Sequence, residues 1–241
     1  MARKTKEDAQ ATRNQILDAA ERLFDTQGVS RTTLQAIASE VGATRGAVYW
    51  HFKDKADLFN AMMERIEWPM DKETLCRQDP HSLLLKLPPL VALRNVILEC
   101  LRSISGDGQV QRLLNICHYQ IEFTDDMSSV RERMLQAHKN FYERHLMAFS
   151  HPKVAPKLKH GFCPELLSSV LKNAILGLIS TWLLEPESFD LVEVGDSTMD
   201  LILHGAGLDP ALARMEDSSA CPLLQHKPLT GKHASDVSSA H

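Results

Sequence analysis

With 241 residues, 44% hydrophobic and 24% charged, the chain has an ordinary globular make-up and room for one domain or two. Its net charge of −4 and odd set of five cysteines without CxxC spacing argue against a broadly basic protein, a disulfide framework or a zinc site; no metal or other cofactor is expected. The polar opening, Met1 to Asp8, carries no secretory core, and the greasiest stretches, near 83–101 and 174–184, are broken by Lys86, Pro88, Arg94 and Glu99 or are too short to span a bilayer, so a cytoplasmic protein with no membrane partner is expected.

Helical periodicity dominates, and the expected fold class is all-α. Ile16, Leu17, Ala20, Leu23 and Phe24 form one apolar stripe on a helix over about 8–27, which Gly28 ends. Thr32-Thr33-Leu34-Gln35 has capping-box spacing and opens a second helix carrying Leu34, Ile37, Ala38 and Val41. Gly42 allows a tight turn into a third helix over 44–51, with Val48 and Phe52 facing inward. Asp54 is the predicted N-cap of a fourth helix, and Asp57 adds negative charge to its first turn. That helix, 54–70, carries Leu58, Phe59, Met62, Met63 and Ile66 until Pro69 ends or kinks it. Beyond a break at Asp79-Pro80, helices are expected at roughly 88–105, 109–122, 125–149, 164–184 and 188–204. From Asp209 onward Ser, Pro and His accumulate without periodicity, so 209–241 is read as a disordered tail.

The chemistry concentrates in residues 44–55. Two short helices joined through a glycine, the second carrying Arg, Tyr and His, are what a DNA-reading helix-turn-helix needs. Arg45 stands at the start of the third helix, where two parallel hydrogen bonds can reach a guanine edge. Tyr49 and His51 can hydrogen-bond phosphate oxygens, and Lys55 lies in a helix first turn that already favours an anion. Thr33, Thr44, Gly46, Trp50 and Lys53 complete the expected DNA-facing set, with Arg3, Lys4 and Lys6 as a basic N-terminal cluster. Trp50 remains open between contacting DNA and packing. Residues 1–60 hold nine basic and eight acidic side chains, a net +1 that leaves −5 for the remainder. A locally basic head on an acidic body is compatible with phosphate binding, which depends on placement rather than on total charge. An amphipathic helix pair with a solvated charged face is the plainer alternative.

The block from Thr12 to Phe59 resembles the TetR family of bacterial repressors. The matching residues are Arg13, Ile16, Ala19, Ala20, Leu23, Phe24, Gly28, Thr32-Thr33, Ile37-Ala38, Val41-Gly42, Gly46, Val48 to Phe52, Lys55, Leu58 and Phe59. Within that family the efflux-pump repressors of the AcrR/TtgR type are similar over more of the chain, through Met1 to Lys6, Ile121 to Met127, Trp182-Leu183 and Pro186 to Leu191. The resemblance is weak over 72–110, and Asp71–Pro80 and the tail depart from it.

The resemblance implies an all-α homodimer in which a DNA-binding domain, 1–53, is carried on a ligand-binding and dimerisation domain, 54–208. Elementary geometry also asks for a dimer: one short recognition helix touches few bases, and two heads about 34 Å apart read a palindromic double-stranded operator. By resemblance, the last two helices supply the dimer interface through Leu171, Ile175, Leu178, Trp182, Met199 and Leu203. Glu67 and His118 fall where similar repressors line their cavity, with Met63, Leu114, Leu176 and Ile179 as apolar lining. A buried carboxylate wants a partner, so the expected inducer is a small hydrophobic or cationic drug-like molecule. The function implied is repression of a multidrug efflux operon, relieved when the inducer shifts helix 54–70. A TetR-like regulator of catabolic or other genes, repressor or activator, is the alternative. Enzyme chemistry is not expected: the chain lacks a Gly-rich phosphate loop, HExxH or a nucleophile elbow, and His138 and His145 read as a solvated pair.

Overall fold

A computed structural model describes residues 2–66 and 87–214, and every regular element among them is helical. Three helices make the head: α1 (Ala2–Gln27), α2 (Leu34–Glu40) and α3 (Arg45–His51). α1 thus starts well before residue 8. Gly28 ends it at φ 84°, and Gly42 turns the chain between α2 and α3 at φ 66°, a left-handed backbone that costs glycine no Cβ clash.

Local hydrogen bonds fix the short helices. The Thr44 hydroxyl accepts from the Ala47 amide at 3.2 Å and the Asp54 carboxylate from the Asp57 amide at 2.8 Å. Asp57 in turn accepts from the Lys53 amide at 2.9 Å, closing a reciprocal box. α2 differs from expectation by one residue. Its cap is Thr33, which accepts from the Ala36 amide at 3.1 Å. Thr32 is fully buried and donates to the Gly28 carbonyl at 2.8 Å, so its side chain is turned back to close the α1–α2 turn, and Thr33 takes the capping position.

Helix α4 (Lys55–Met63) joins the head to the body; it ends sooner than expected, residues 64–66 forming a turn, and the rest of the expected continuation through Pro69 lies outside the described residues. Ile16, Phe24, Ile37, Val48, Phe52, Phe59 and Met62 are buried in one cluster that also takes in Leu113, Ile116, Cys117, Met127 and Val130 of the body. Each large apolar side chain so buried contributes about 1.5–3 kcal/mol. The body comprises α5 (Pro89–Gly106), α6 (Gly108–Asn115), α7 (Ser128–Phe149), α8 (Pro164–Leu184) and α9 (Leu191–Gly205). The helix expected to run to 122 gives way at Ile116–Gln120 to a π turn, and α9 begins at 191 because Asp190 caps it, accepting from the Val192 and Glu193 amides.

Three further expectations need correction. Leu171, Ile175, Trp182, Met199 and Leu203 are at most 5% exposed within a single subunit, packed in the body's own core. Their side chains cannot face a partner; only Leu178 of that set is part-exposed. The outward stripe of α8 is instead Leu166, Val170, Gly177, Thr181 and Leu184, beside Leu201 of α9. His145 is likewise fully buried rather than solvated. Finally, Asp209–Arg214 is ordered: a 3-10 turn, Pro210–Ala213, buries Ala213.

That turn ends on a charge network. Arg94, 2% exposed in the middle of α5, binds the carboxylates of Asp196 and Asp200 on α9, the latter at 2.7 Å. Arg214 reaches the same two carboxylates at 3.3 and 2.6 Å. α8 has the length and hydropathy to cross a bilayer, contrary to the sequence-based expectation, yet its inward residues Leu167, Leu171, Ile175 and Ile179 lie in the core.

Candidate nucleic-acid interface and the junction behind it

α3 presents one face to solvent and one to the core. Val48 and Phe52 anchor it, while Thr44, Arg45, Gly46, Tyr49 and Trp50 are exposed, Trp50 at 73%. A large apolar ring left so bare on a short, doubly capped helix is unusual for packing and suits a partner surface. Arg45 is already organised: its guanidinium donates to the Tyr49 hydroxyl at 3.1 Å and lies 5.2 Å from the ring centroid. The contact uses one of the guanidinium's five N–H donors, and both side chains stay exposed. Trp50 meets the His51 ring edge-on at 4.6 Å. Partial burial lowers the His51 pKa, and the nearby Arg13 lowers it further. Arg13 itself lies over the Phe52 ring at 5.1 Å, which brings a second guanidinium to this end of the head. Lys53, Thr33 and Lys6 are exposed; the Arg3 and Lys4 side chains lie outside the described residues.

Lys55 is placed differently from the expectation of a phosphate contact. Its ammonium donates to the backbone carbonyls of Val29 at 2.9 Å and Ser30 at 3.3 Å. The charge therefore ties α4 to the α1–α2 turn. The Val29 amide, in turn, donates to the Gln120 carbonyl at 2.8 Å. Loop 28–30 is thus held from both sides, by α4 and by the π turn of the body.

A polar clamp lies beside it. Glu21 on α1 is 5% exposed and accepts from Arg112 at 2.9 Å and Gln109 at 3.1 Å, both on α6, with Arg65 at 4.0 Å. Arg65 also pairs with Asp18 at 2.6 Å, and Asn115 donates to Asp25 at 3.1 Å. Sequence reasoning missed this set, although Glu21 lies four residues after Leu17 and three before Phe24, within the apolar stripe. A carboxylate at such a position signals a buried partner.

The expected ligand-facing residues divide. Met63 is buried on the head side, its sulfur 3.6 Å from the Cys117 sulfur. Leu114, Leu176 and Ile179 pack into the body core. The His118 ring nitrogen Nδ1 is 3.0 Å from the Ser180 hydroxyl, and Tyr119 donates to the Ser180 carbonyl. Glu67 lies outside the described residues.

Two family models match in succession. Residues 16–62 fit the bacterial regulatory proteins of the tetR family, and residues 88–205 fit the C-terminal region of MAATS-type transcriptional repressors. The regulator AcrR of Shigella flexneri is 36% identical over 214 residues, covering 88% of this chain and 97% of its own. The chain belongs to the TetR family. Among solved structures, NalD, the secondary repressor of the Pseudomonas aeruginosa MexAB-OprM multidrug efflux pump, is 34% identical with a TM-score of 0.70, over 82% of this chain and 96% of its own. SmeT in complex with triclosan is 30% identical, with a TM-score of 0.66, over 81% and 91%. In this TetR-family chain the matched N-terminal segment takes in the second half of α1, α2, nearly all of α4, and α3, which bears the exposed Arg45, Tyr49 and Trp50.

Proposed function

We propose that the protein is a ligand-responsive transcriptional repressor that binds a palindromic operator as a homodimer and controls a multidrug efflux operon. The carrying observation is the exposed Arg45, Tyr49 and Trp50 face, with Arg45 already held on Tyr49, on a helix capped by Thr44. In this reading residues 1–53 form the DNA-binding head and 54–208 the ligand-binding and dimerising body. Arg45 reads base edges, while Tyr49, His51 and Lys53 contact phosphates, with Thr33 and Lys6 at the rim. The dimer forms through the outward stripe of α8 and α9, where Val170, Leu184 and Leu201 await apolar cover. The protein is cytoplasmic and has no catalytic role.

An inducer bound in the body moves the head through α4 and loop 28–30. Both half-sites must be engaged at once, so coupling of about 1–3 kcal/mol already weakens operator binding some 5- to 150-fold. The assay is an electrophoretic shift on the DNA upstream of the gene, with wild type and Arg45→Ala. The wild type should bind with defined base preference and Arg45→Ala should relax it, at a cost of about 1–3 kcal/mol. Unchanged affinity and preference in Arg45→Ala would sink the recognition-helix assignment. Triclosan, which SmeT binds, is the first compound to test for release.

A further inference from the structure

Bases line the body where a cationic ligand would require acids. α7 packs on α8, and the part-buried or buried face that α8 turns toward α7 and the π turn runs Ser168, Lys172, Leu176, Ser180, one residue per turn. Three histidines stand along this seam. His145 Nδ1 is 3.4 Å from the Ser168 carbonyl at the closed end, and His118 Nδ1 is 3.0 Å from the Ser180 hydroxyl at the other. Between them His138 lies within electrostatic reach of both Lys172 and His118. His138 is exposed, His118 and Lys172 half-buried, so the seam is open at its middle.

No Asp or Glu occurs in residues 116–120, 133–142 or 166–184, the three stretches that border it. The flanking carboxylates are engaged or displaced. Glu64 pairs with Arg133 at 3.3 Å, Glu143 with Lys139 at 3.8 Å, Glu165 sits in the first turn of α8, and Glu99 on α5 lies beside Cys100, where Arg144 also acts. Cys117 and Tyr119 on the π turn and Tyr142 on α7 are further titratable neighbours, and burial holds the Cys117 thiol neutral by pushing it up to about 12.

We propose that this seam binds an anionic ligand group, a carboxylate on a largely apolar body, between His138 and Lys172. The inference rests on the regulator reading and assigns its inducer a chemical class. The apolar part lies along Leu176, one turn from Lys172 and packed against the body core. The cationic alternative depended on Glu67, outside the described residues. Burial first, and the neighbouring base second, depress the His118 and His138 pKa values, so each histidine holds its proton less well than a free imidazole. An anion supplies the missing counter-charge. Its binding is therefore linked to proton uptake, and affinity rises as pH falls through the imidazole range.

The test uses the full-length protein and three probes that share one naphthalene body: 2-naphthylacetate, 2-(2-naphthyl)ethanol and 2-(2-naphthyl)ethylammonium. Isothermal titration near pH 6 and near pH 8, in two buffers of different ionisation enthalpy, reads affinity and proton uptake together. The acetate should bind about tenfold or more tighter than the ammonium near pH 6, take up protons, and weaken toward pH 8. His138→Gln and Lys172→Gln should each lower acetate affinity by about threefold or more and leave the alcohol within about twofold. Equal or tighter ammonium binding, no acetate binding, or variants that bind the acetate like wild type would each overturn the proposal. Ligand-free binding of the upstream DNA, measured on the same preparations, reports separately on the regulator reading.

Discussion

Arg94→Ala should be the most destabilising single charge deletion among the described residues. The side chain is 3% exposed and holds Asp196 and Asp200, with a further 3.4 Å contact to the Asp196 carbonyl. Removing one partner of a buried pair costs about 3–5 kcal/mol because the other charge is stranded. Here the carboxylates are 26% and 32% exposed and Arg214 still reaches both, so water and the second arginine offset part of the loss. The expected cost is about 3 kcal/mol, at the low end of that range. For a chain of this size that lowers the melting temperature by roughly 6–12 °C. Circular dichroism melts at fixed protein concentration measure it, since a dimer's stability depends on concentration. The pH dependence adds a second check. Burial pushes the Asp200 carboxyl up, but hydrogen bonds and charge from Arg94 and Arg214 together outweigh it and leave its pKa below the usual value. A depressed carboxylate contributes stability that is full above its unfolded pKa, about 3.9, and is lost as pH falls through the lower folded value. The gap between wild type and Arg94→Ala should therefore narrow below about pH 4. A melt within about 1 kcal/mol of wild type at neutral pH, or a gap that widens in acid, would refute the reasoning.

Lys55→Met should weaken operator binding while leaving its salt dependence unchanged, because that ammonium bonds to Val29 and Ser30. Lys53→Ala, at an exposed position, should instead reduce the salt slope by about one; the reverse pattern in titrations at several salt concentrations would exchange the two roles. Glu21→Ala leaves Arg112 and Gln109 without their shared acceptor and Arg65 with Asp18 alone, and should cost about 1–3 kcal/mol in urea unfolding, with weaker operator binding in parallel. Full operator affinity in a destabilised variant would show that the clamp does not orient the head. Burial holds His145 near a pKa of about 4, so the folded state stays neutral where the unfolded chain protonates. Stability should then decline as pH falls from about 6.5 toward 4, by up to roughly 3 kcal/mol, and His145→Leu should remove that part of the slope. An unaltered acid slope in the variant would assign the acid sensitivity to other groups.

Most of the head was legible because its signals are local. A threonine or aspartate three residues before an amide, a glycine after a helix and an i, i+4 stripe each act within a turn, as Thr44, Asp54 and Gly28 show. Thr32 misled because two adjacent threonines compete, and only tertiary closure of the α1–α2 turn decides which one caps. The dimer-facing residues misled for a different reason. α8 is apolar on both sides, and periodicity identifies stripes without saying which one the same chain already covers. Leu171 and Ile175 belong to the inner stripe, Val170 and Leu184 to the outer. Arg94 read as an interruption in a greasy stretch, whereas Asp196 and Asp200, about a hundred positions away, make it part of the core. Lys55 carried a correct prior for helix-start anion binding, but backbone carbonyls of a neighbouring loop occupy it.

The apolar cluster that fills the head does not stop at α3 or α4; Leu113, Ile116, Met127 and Val130 complete it. A head cut at residue 53 and fused to a foreign body would leave Ile16 and Phe24 partly uncovered and Glu21 without Arg112. Recombination between regulators of this kind therefore has to exchange 1–66 together with 108–130, segments far apart in the gene. New DNA specificity is reached more readily by point changes on the outer face of α3 than by transplanting whole heads.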